Sequence, residues 1–292
     1  MVFWSFSFIW YKEVFVYYKP ITLVFLRLVI SSVFLFAITY SMRRLDRVKL
    51  RDMKYFLLLA FFEPFLYFIG ESFGISLISS TLAAVIVSTI PLFSPIGAYY
   101  FYKERLTPMN FLGIVVSIVG VAMVIFHRGF GAIDANPLGI ALMFLAVFAA
   151  LGYSIMIKKL TGKYNVLSII TYQNSIGALF FLPLFALFEY NHFLSVQISW
   201  PVVLPLLKLG IFASSVAFVL FTYSIKHLGI TKANIFTNTI PVLTAVFAYF
   251  WLGETLSVVM MAGILVVIFG LFLSQIRQGM FSGILFWRNG NN

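Results

Sequence analysis

LAAVIVSTIPLFSPIGAYYFYKERLTPMNFLGIVVSIVG, residues Leu82 to Gly120, occurs in this chain a second time in altered form. Moving the sequence by 150 positions lays Pro91 on Pro241, Glu104 on Glu254, Leu106 on Leu256, Gly113 on Gly263 and Gly120 on Gly270, without a gap. Each copy is an apolar run, a short turn holding a glutamate, and a second apolar run. A repeat at a fixed period shapes the whole fold, so it is read before any local feature. Because this one lies inside hydrophobic sequence, it predicts a membrane protein built from two related halves.

Of the 292 residues, 62% are hydrophobic and 10% are charged. A soluble domain carries about 25% charged residues, so lipid is the expected solvent. Apolar runs of about 20 residues match the hydrocarbon thickness of a bilayer. These runs are too long and too continuous for barrel strands, so they are predicted to be helices. Ten spans are predicted: Met1–Tyr11, Ile21–Met42, Tyr55–Ile75, Thr81–Tyr102, Met109–Phe126, Pro137–Ile157, Val166–Phe188, Pro201–Ile225, Thr231–Leu252 and Ser257–Ile276. Cysteine is absent, which excludes a disulfide framework and a thiolate metal site. The net charge of +11 is read as cytoplasmic loop charge, not as a nucleic-acid surface.

The first span is short: eleven residues rising 1.5 Å each cover roughly half of a bilayer core. At an offset of 146, Lys12 falls on Lys158 and Pro20 on Val166. The partner of the sixth span, which begins near Pro137, would then start about ten residues before Met1, so the chain is expected to begin inside its first helix. Charge sets the orientation. With the N-terminus cytoplasmic, fifteen Lys and Arg fall in inner loops and tail, and only Lys12, Lys19 and Arg128 fall outside. That is a strong positive-inside bias. Arg27 and Lys208 lie within spans, Lys208 near the inner boundary. Five spans per half is an odd number, so the halves are expected to be inverted, with a binding site between them near mid-membrane. The expected organisation is thus residues 1–127 and 136–276 as two five-helix repeats and 277–292 as a short tail. Both termini are cytoplasmic, in the cell membrane (plasma or bacterial inner).

Trp4-Ser-Phe-Ser-Phe-Ile-Trp-Tyr-Lys12, then Pro20 and Phe25-Leu-Arg27, resemble the opening of the EamA-type permeases of the drug/metabolite transporter superfamily. Those proteins carry a W-x-x-N-F-x-x-x-K pattern in the first helix and F-x-R in the second. Thr239-Ile-Pro241 and Leu252-Gly-Glu-Thr-Leu256, followed by Gly263 and Gly270, resemble the family's ninth and tenth helices. Ser7 stands where the pattern has Asn, and Lys103 where the first half would have Gly. The resemblance covers nearly the whole chain. It implies ten helices in two inverted repeats, transport of small metabolites, often export of amino acids, and a central cavity lined mainly by helices one, three, four, six, eight and nine.

The repeat also sorts residues. Features alike in both halves are expected to serve the scaffold: Pro91 and Pro241 as mid-span bends or hinges, and the four paired glycines as close helix contacts. Glu104 and Glu254 are placed at cytoplasmic span ends, paired with cations. Polar residues present in one half alone are the candidates for cargo. Glu63, Tyr67 and Glu71 recur at i, i+4 and i+8, on one helical face; their counterparts are Ala213, Ala217 and Phe221. A carboxyl inside a bilayer costs a few kcal/mol unless it faces a cavity or a partner. Glu63 is expected to bind a proton or a substrate ammonium, against the alternative of a structural hydrogen bond. Glu71 is expected to pair with Arg27, whose counterpart is Gln173. Asn234 and Asn238, opposite Ala84 and Ser88, offer donors and acceptors for a zwitterion or serve interhelical bonding. Trp4, Phe8, Tyr153 and Tyr223 are candidate aromatic walls.

His127, His192 and His227 are scattered at span ends and form no metal site. Nucleotide and nucleophile motifs are absent. The expectation is therefore a secondary transporter, not an enzyme, with no cofactor. Its partners are a small organic solute, protons and the lipid bilayer, with no nucleic acid and no obligate protein partner. Exchange of phosphorylated or nucleotide-sugar metabolites is the alternative cargo, and a membrane assembly protein the alternative class.

Overall fold

The computed structural model describes residues 1–93, 108–126, 136–228, 233 and 236–275. Among them the chain is helical. We label α1 Val2–Phe15, α2 Pro20–Ser41, α3 Leu50–Leu77, α4 Ser80–Phe93, α5 Pro108–Ile125, α6 Pro137–Thr161, α7 Val166–Ser195, α8 Trp200–His227, α9 Ile240–Leu252 and α10 Val258–Gln275. Helices α2, α3, α6, α7 and α8 are long and apolar enough to cross a membrane, and shorter apolar helices accompany them.

The helix starts follow from local chemistry. Proline opens α2, α6, α8 and α9 in the first turn, where no amide bond is lost. Ser79, Asn136 and Asn165 cap α4, α6 and α7 through side-chain oxygens that accept from the amides of Leu82, Leu138 and Leu167. Gly253 ends α9 at φ 66°, a left-handed backbone that glycine adopts without a Cβ clash. The mid-span reading of Pro241 is thereby corrected. A 3₁₀ turn, Phe236–Thr239, precedes it, and Pro241 begins the α-helix instead of bending one. Pro91 follows a pause in helical bonding at Ser88–Thr89.

Two further glutamates cap helices from a distance. Glu189 accepts from the amides of Ile21 (3.3 Å) and Thr22 (2.6 Å) and from the Thr22 hydroxyl (2.7 Å) at the start of α2. Glu254 does the same at the start of α4, accepting from Ser80 N (2.8 Å), Thr81 N (3.2 Å) and Thr81 Oγ1 (2.7 Å). Each satisfies orphan amides and places an anion at the positive end of a helix dipole. The cytoplasmic placement of Glu254 is corrected by its neighbours. It stands at the end of the molecule where Lys12 donates to the Ile78 carbonyl (2.7 Å), an end that the charge pattern puts outside. Lys208 belongs there as well, with its Nζ 5.9 Å from the Trp10 ring, and not at the inner boundary. Glu104 lies outside the described residues. Glu254→Ala is expected to lower stability by about 1–2 kcal/mol, read as a lower melting temperature in detergent.

The chain forms two compact units, Met1–Ser88 with Ala135–Thr255, and Thr89–Asp134 with Leu256–Asn292. In the first, α1 packs on α8 and α9, α3 packs on α6 and α7, α4 packs on α6 and α9, and α2 packs on α7 and α8. In the second, α5 lies along α10 through a seam of small residues. A methyl added to Gly120 would come within 2.7 Å of Val267 N and 2.8 Å of the Gly263 carbonyl, and one added to Gly263 within 2.9 Å of the Gly120 carbonyl. Gly113 and Gly270 meet in the same way two turns further on, and between the two pairs Ser117 Oγ donates to the Val267 carbonyl (3.1 Å). Small residues let helix backbones touch where lipid gives no hydrophobic drive to associate. Gly120→Val is expected to cost about 1–3 kcal/mol through overpacking, and a thermal melt of the purified protein measures it.

Candidate functional site

Two polar clusters lie inside the first unit. The first is built around Arg27 on α2, 2% exposed. Its Nε donates to Ser214 Oγ on α8 (2.7 Å) and its Nη1 to the Tyr11 hydroxyl on α1 (2.5 Å). Nη1 also lies 3.7 Å from Glu71 Oε2 on α3. Glu71 in turn accepts from Tyr11 (2.9 Å) at Oε2 and from Tyr67 (3.1 Å) at Oε1. The guanidinium carbon lies 4.2 Å from the centre of the Phe68 ring. Each charge has its counter-charge and each carboxylate oxygen a donor, so the cluster is closed.

A polar seam continues from it. Asn174 Nδ2 donates to Ser31 Oγ (2.7 Å) and to the Ser214 carbonyl (2.8 Å), and Ser31 pairs with Ser215 (2.7 Å). These carbonyls are free because α8 runs as a π-helix over Leu209–Val216. The wider turn releases backbone acceptors that must find donors within the protein. Trp4 Nε1 takes another of them, the Ala213 carbonyl (3.2 Å), while its ring meets Phe218 and Phe221 edge-on.

The second cluster starts at a break in α3. The helix is kinked within Phe61–Leu66, the corresponding place under the 150-residue shift, where Glu63 leaves helical geometry (φ −147°, ψ 116°) ahead of the cis Glu63–Pro64 bond. A following proline disfavours the α conformation. The break at Glu63 interrupts the helical face that carries Glu63, Tyr67 and Glu71. Tyr67 and Glu71 belong to the Arg27 cluster, and no hydrogen bond joins Glu63 to either. The Glu63 carboxylate bears electrostatically on the Tyr153 hydroxyl of α6, which also faces Gln173 of α7 and Thr222 of α8, as well as on Glu71, Arg27 and Tyr67. All four residues are buried, with exposures of 6% for Glu63, 3% for Tyr153 and 0% for Gln173 and Thr222. Among the described residues, the Tyr153 hydroxyl, both amide atoms of Gln173 and the Thr222 hydroxyl have no hydrogen-bond partner. They are near one another, but none closes a bond of ordinary length and angle. Phe218 borders the cluster, edge-on to Tyr153 at 6.4 Å between ring centres.

The remaining candidates lie apart. Ser88 donates to the Val85 carbonyl of its own helix (2.7 Å). Tyr223 is 56% exposed, with its ring 4.2 Å from that of His227, so it is not part of a buried wall with Tyr153. Phe8 is buried beneath the Ser80 hydroxyl, which donates to its carbonyl (3.1 Å). Asn234 lies outside the described residues, as does the side chain of Asn238. Among the described residues no three His, Cys, Asp or Glu side chains gather to hold a metal. Sequence reasoning missed Tyr11, Ser214 and Thr222 as members of the clusters. Tyr11 sat inside a motif and looked like filler, and hydroxyls at the depth of a bilayer give no pattern of their own.

The sequence matches the description "EamA-like transporter family" over residues 1–126 and 137–275. Among its relatives, the uncharacterized transporter YetK of Bacillus subtilis is 29% identical over 260 residues, 87% of this chain and 77% of its own length. An uncharacterized transporter of Archaeoglobus fulgidus is 27% identical over 273 residues, 94% of this chain and 95% of its own. A protein of Streptantibioticus cattleyicolor named "Probable terminal-alkyne amino-acid exporter" is 25% identical over 229 residues, 78% of this chain and 74% of its own. A solved crystal structure superposes with a TM-score of 0.69 over 93% of each chain at 16% identity, a likeness of fold.

Proposed function

We propose, from the premise that this multi-pass membrane protein belongs to the EamA-like transporter family, that it exports amino acids or related amine-bearing metabolites by alternating access. The observation that carries this reading is the contrast between the two clusters of the first unit. One buried polar network is closed, and beside it a buried carboxylate at a helix break stands among groups with nothing to bond. Interrupted helices near the midplane are where transporters of repeat architecture place their cargo. The relative named as an amino-acid exporter supports the class of solute.

The packing supports two inverted halves. Adding five to a helix label exchanges α1–α8 with α6–α3, α1–α9 with α6–α4, and α2–α8 with α7–α3, and each of these pairs is in contact. The Gly113–Gly270 contact exchanges with Gly263–Gly120 in the same way. Five spans per half then place both termini in the cytoplasm, consistent with the Lys and Arg bias. Cargo carrying phosphate is disfavoured, because it needs a free buried cation and Arg27 is already bound to Glu71 and Tyr11.

Reconstitution of the purified chain into liposomes tests the proposal. Uptake or counterflow is measured for a panel of labelled amino acids, amines and phosphorylated metabolites, with and without a pH gradient. Saturable flux of an amine-bearing solute is expected. Flux of phosphorylated solutes alone, or of none, overturns the reading.

A further inference from the structure

The two clusters stand at equivalent places in the two halves of the sequence. A shift of 146 lays Arg27 on Gln173, and a shift of 150 lays Glu71 on Phe221 and Ser72 on Thr222. Where the first half has a guanidinium and a carboxylate paired with each other, the second has an amide that faces Tyr153 but closes no hydrogen bond of ordinary geometry with any described residue. Folded proteins leave few buried polar groups unmade, because the low dielectric that strengthens a made bond makes a missing one costly. Here four such atoms come from three helices, Tyr153 Oη, Gln173 Oε1 and Nε2, and Thr222 Oγ1, with Gln173 and Thr222 facing the Tyr153 hydroxyl. Packing alone is served equally well by Phe, Leu and Val of the same shapes.

The chemistry of the group selects its ligand. Among the described residues Glu63 is the one charged member of the cluster, and no hydrogen bond or ion pair holds its carboxylate. The cation that acts on it, Arg27, is engaged by Glu71, Tyr11 and Ser214. Three oxygens, two hydroxyl and one amide, add acceptors. A net negative site rich in acceptors fits a positively charged donor, and an ammonium group presents three N–H bonds from one atom. The edge of the site is aromatic, with Phe218 against Tyr153.

We propose that Glu63, Tyr153, Gln173 and Thr222 form one site that holds the ammonium group of an amine-bearing metabolite. Glu63 balances its charge, and the oxygens of Tyr153, Gln173 and Thr222 accept its protons. The inference rests on the transport reading for the identity of the ligand as cargo, and it adds Gln173 and Thr222 to the residues that select it.

The test uses the full chain purified in detergent and follows its melting temperature with matched probes: L-phenylalanine, phenethylamine, 3-phenylpropionate and sodium chloride. The two amines are expected to raise the melting temperature, and the carboxylate and the salt to leave it unchanged. Gln173→Leu and Tyr153→Phe are each expected to melt at or above wild type without ligand, since unmade buried bonds are removed. They are also expected to weaken the amines' apparent affinity at least about tenfold. The two variants are independent, so failure of one to fold leaves the other. An undiminished amine shift in the variants, a shift with 3-phenylpropionate or sodium chloride alone, or no shift with either amine overturns the assignment. The same preparations in liposomes separate it from the transport reading. Wild-type flux that both variants retain removes this site and leaves transport standing. Amine shifts in a protein that moves no solute keep the site and remove transport.

Discussion

Replacing Glu63 with Gln is expected to uncouple solute movement from a pH gradient. Gln keeps the size and hydrogen-bonding capacity of a protonated carboxyl but cannot release a proton. If one proton moves per solute through Glu63, a gradient of one pH unit sustains a concentration ratio of up to about tenfold. Liposomes carrying Glu63→Gln are expected to lose that accumulation and to equilibrate solute at the same level with or without the gradient. The charged groups facing Glu63 are Glu71 and Arg27, and both are held by the closed cluster. They are expected to stay in place in the variant. A Glu63→Gln protein that still concentrates solute along the gradient assigns Glu63 a structural role.

Arg27→Met is expected to be among the most destabilising single substitutions in the chain. It strands the Glu71 carboxylate in a buried site and removes donors from Tyr11 and Ser214. Breaking a buried pair from one side costs about 3–5 kcal/mol, whereas replacing both charges by apolar groups recovers much of that loss. The double variant Arg27→Met with Glu71→Met is therefore expected to melt well above Arg27→Met alone. Thermal denaturation of wild type, both single variants and the double variant supplies the cycle. Additive losses across the cycle would show that Arg27 and Glu71 stabilise the protein independently.

The broad design was readable from the letters. Apolar runs and a gap-free repeat point to the helices, and proline with Ser or Asn marks where several of them begin. The paired glycines announced the close α5–α10 contact, because backbone proximity in lipid leaves room for little else. What stayed hidden were departures from ideal helix geometry. Pro64 signals that Glu63 cannot sit in a regular helix, yet the polar side chains of Glu63, Tyr67 and Glu71 at i, i+4 and i+8 suit an unbroken one so well that the periodicity prevailed. Pro241, like its partner Pro91, sits one residue into a helical segment that follows a break, where the repeat alone reads as a mid-span bend. The π-helical stretches have no sequence signature, and the carbonyls they release decide where Trp4 and Asn174 bind. The twin position of Arg27 and Gln173 was legible, but only three-dimensional burial reveals that the amide is left open.

The most direct measurement is a structure of the protein with a transported amine bound. Density for the ammonium group is expected at about 3 Å from the Glu63 carboxylate and from the oxygens of Tyr153 and Gln173. A solute seated against Arg27 and Glu71, with Tyr153, Gln173 and Thr222 bonded only to one another, would contradict it.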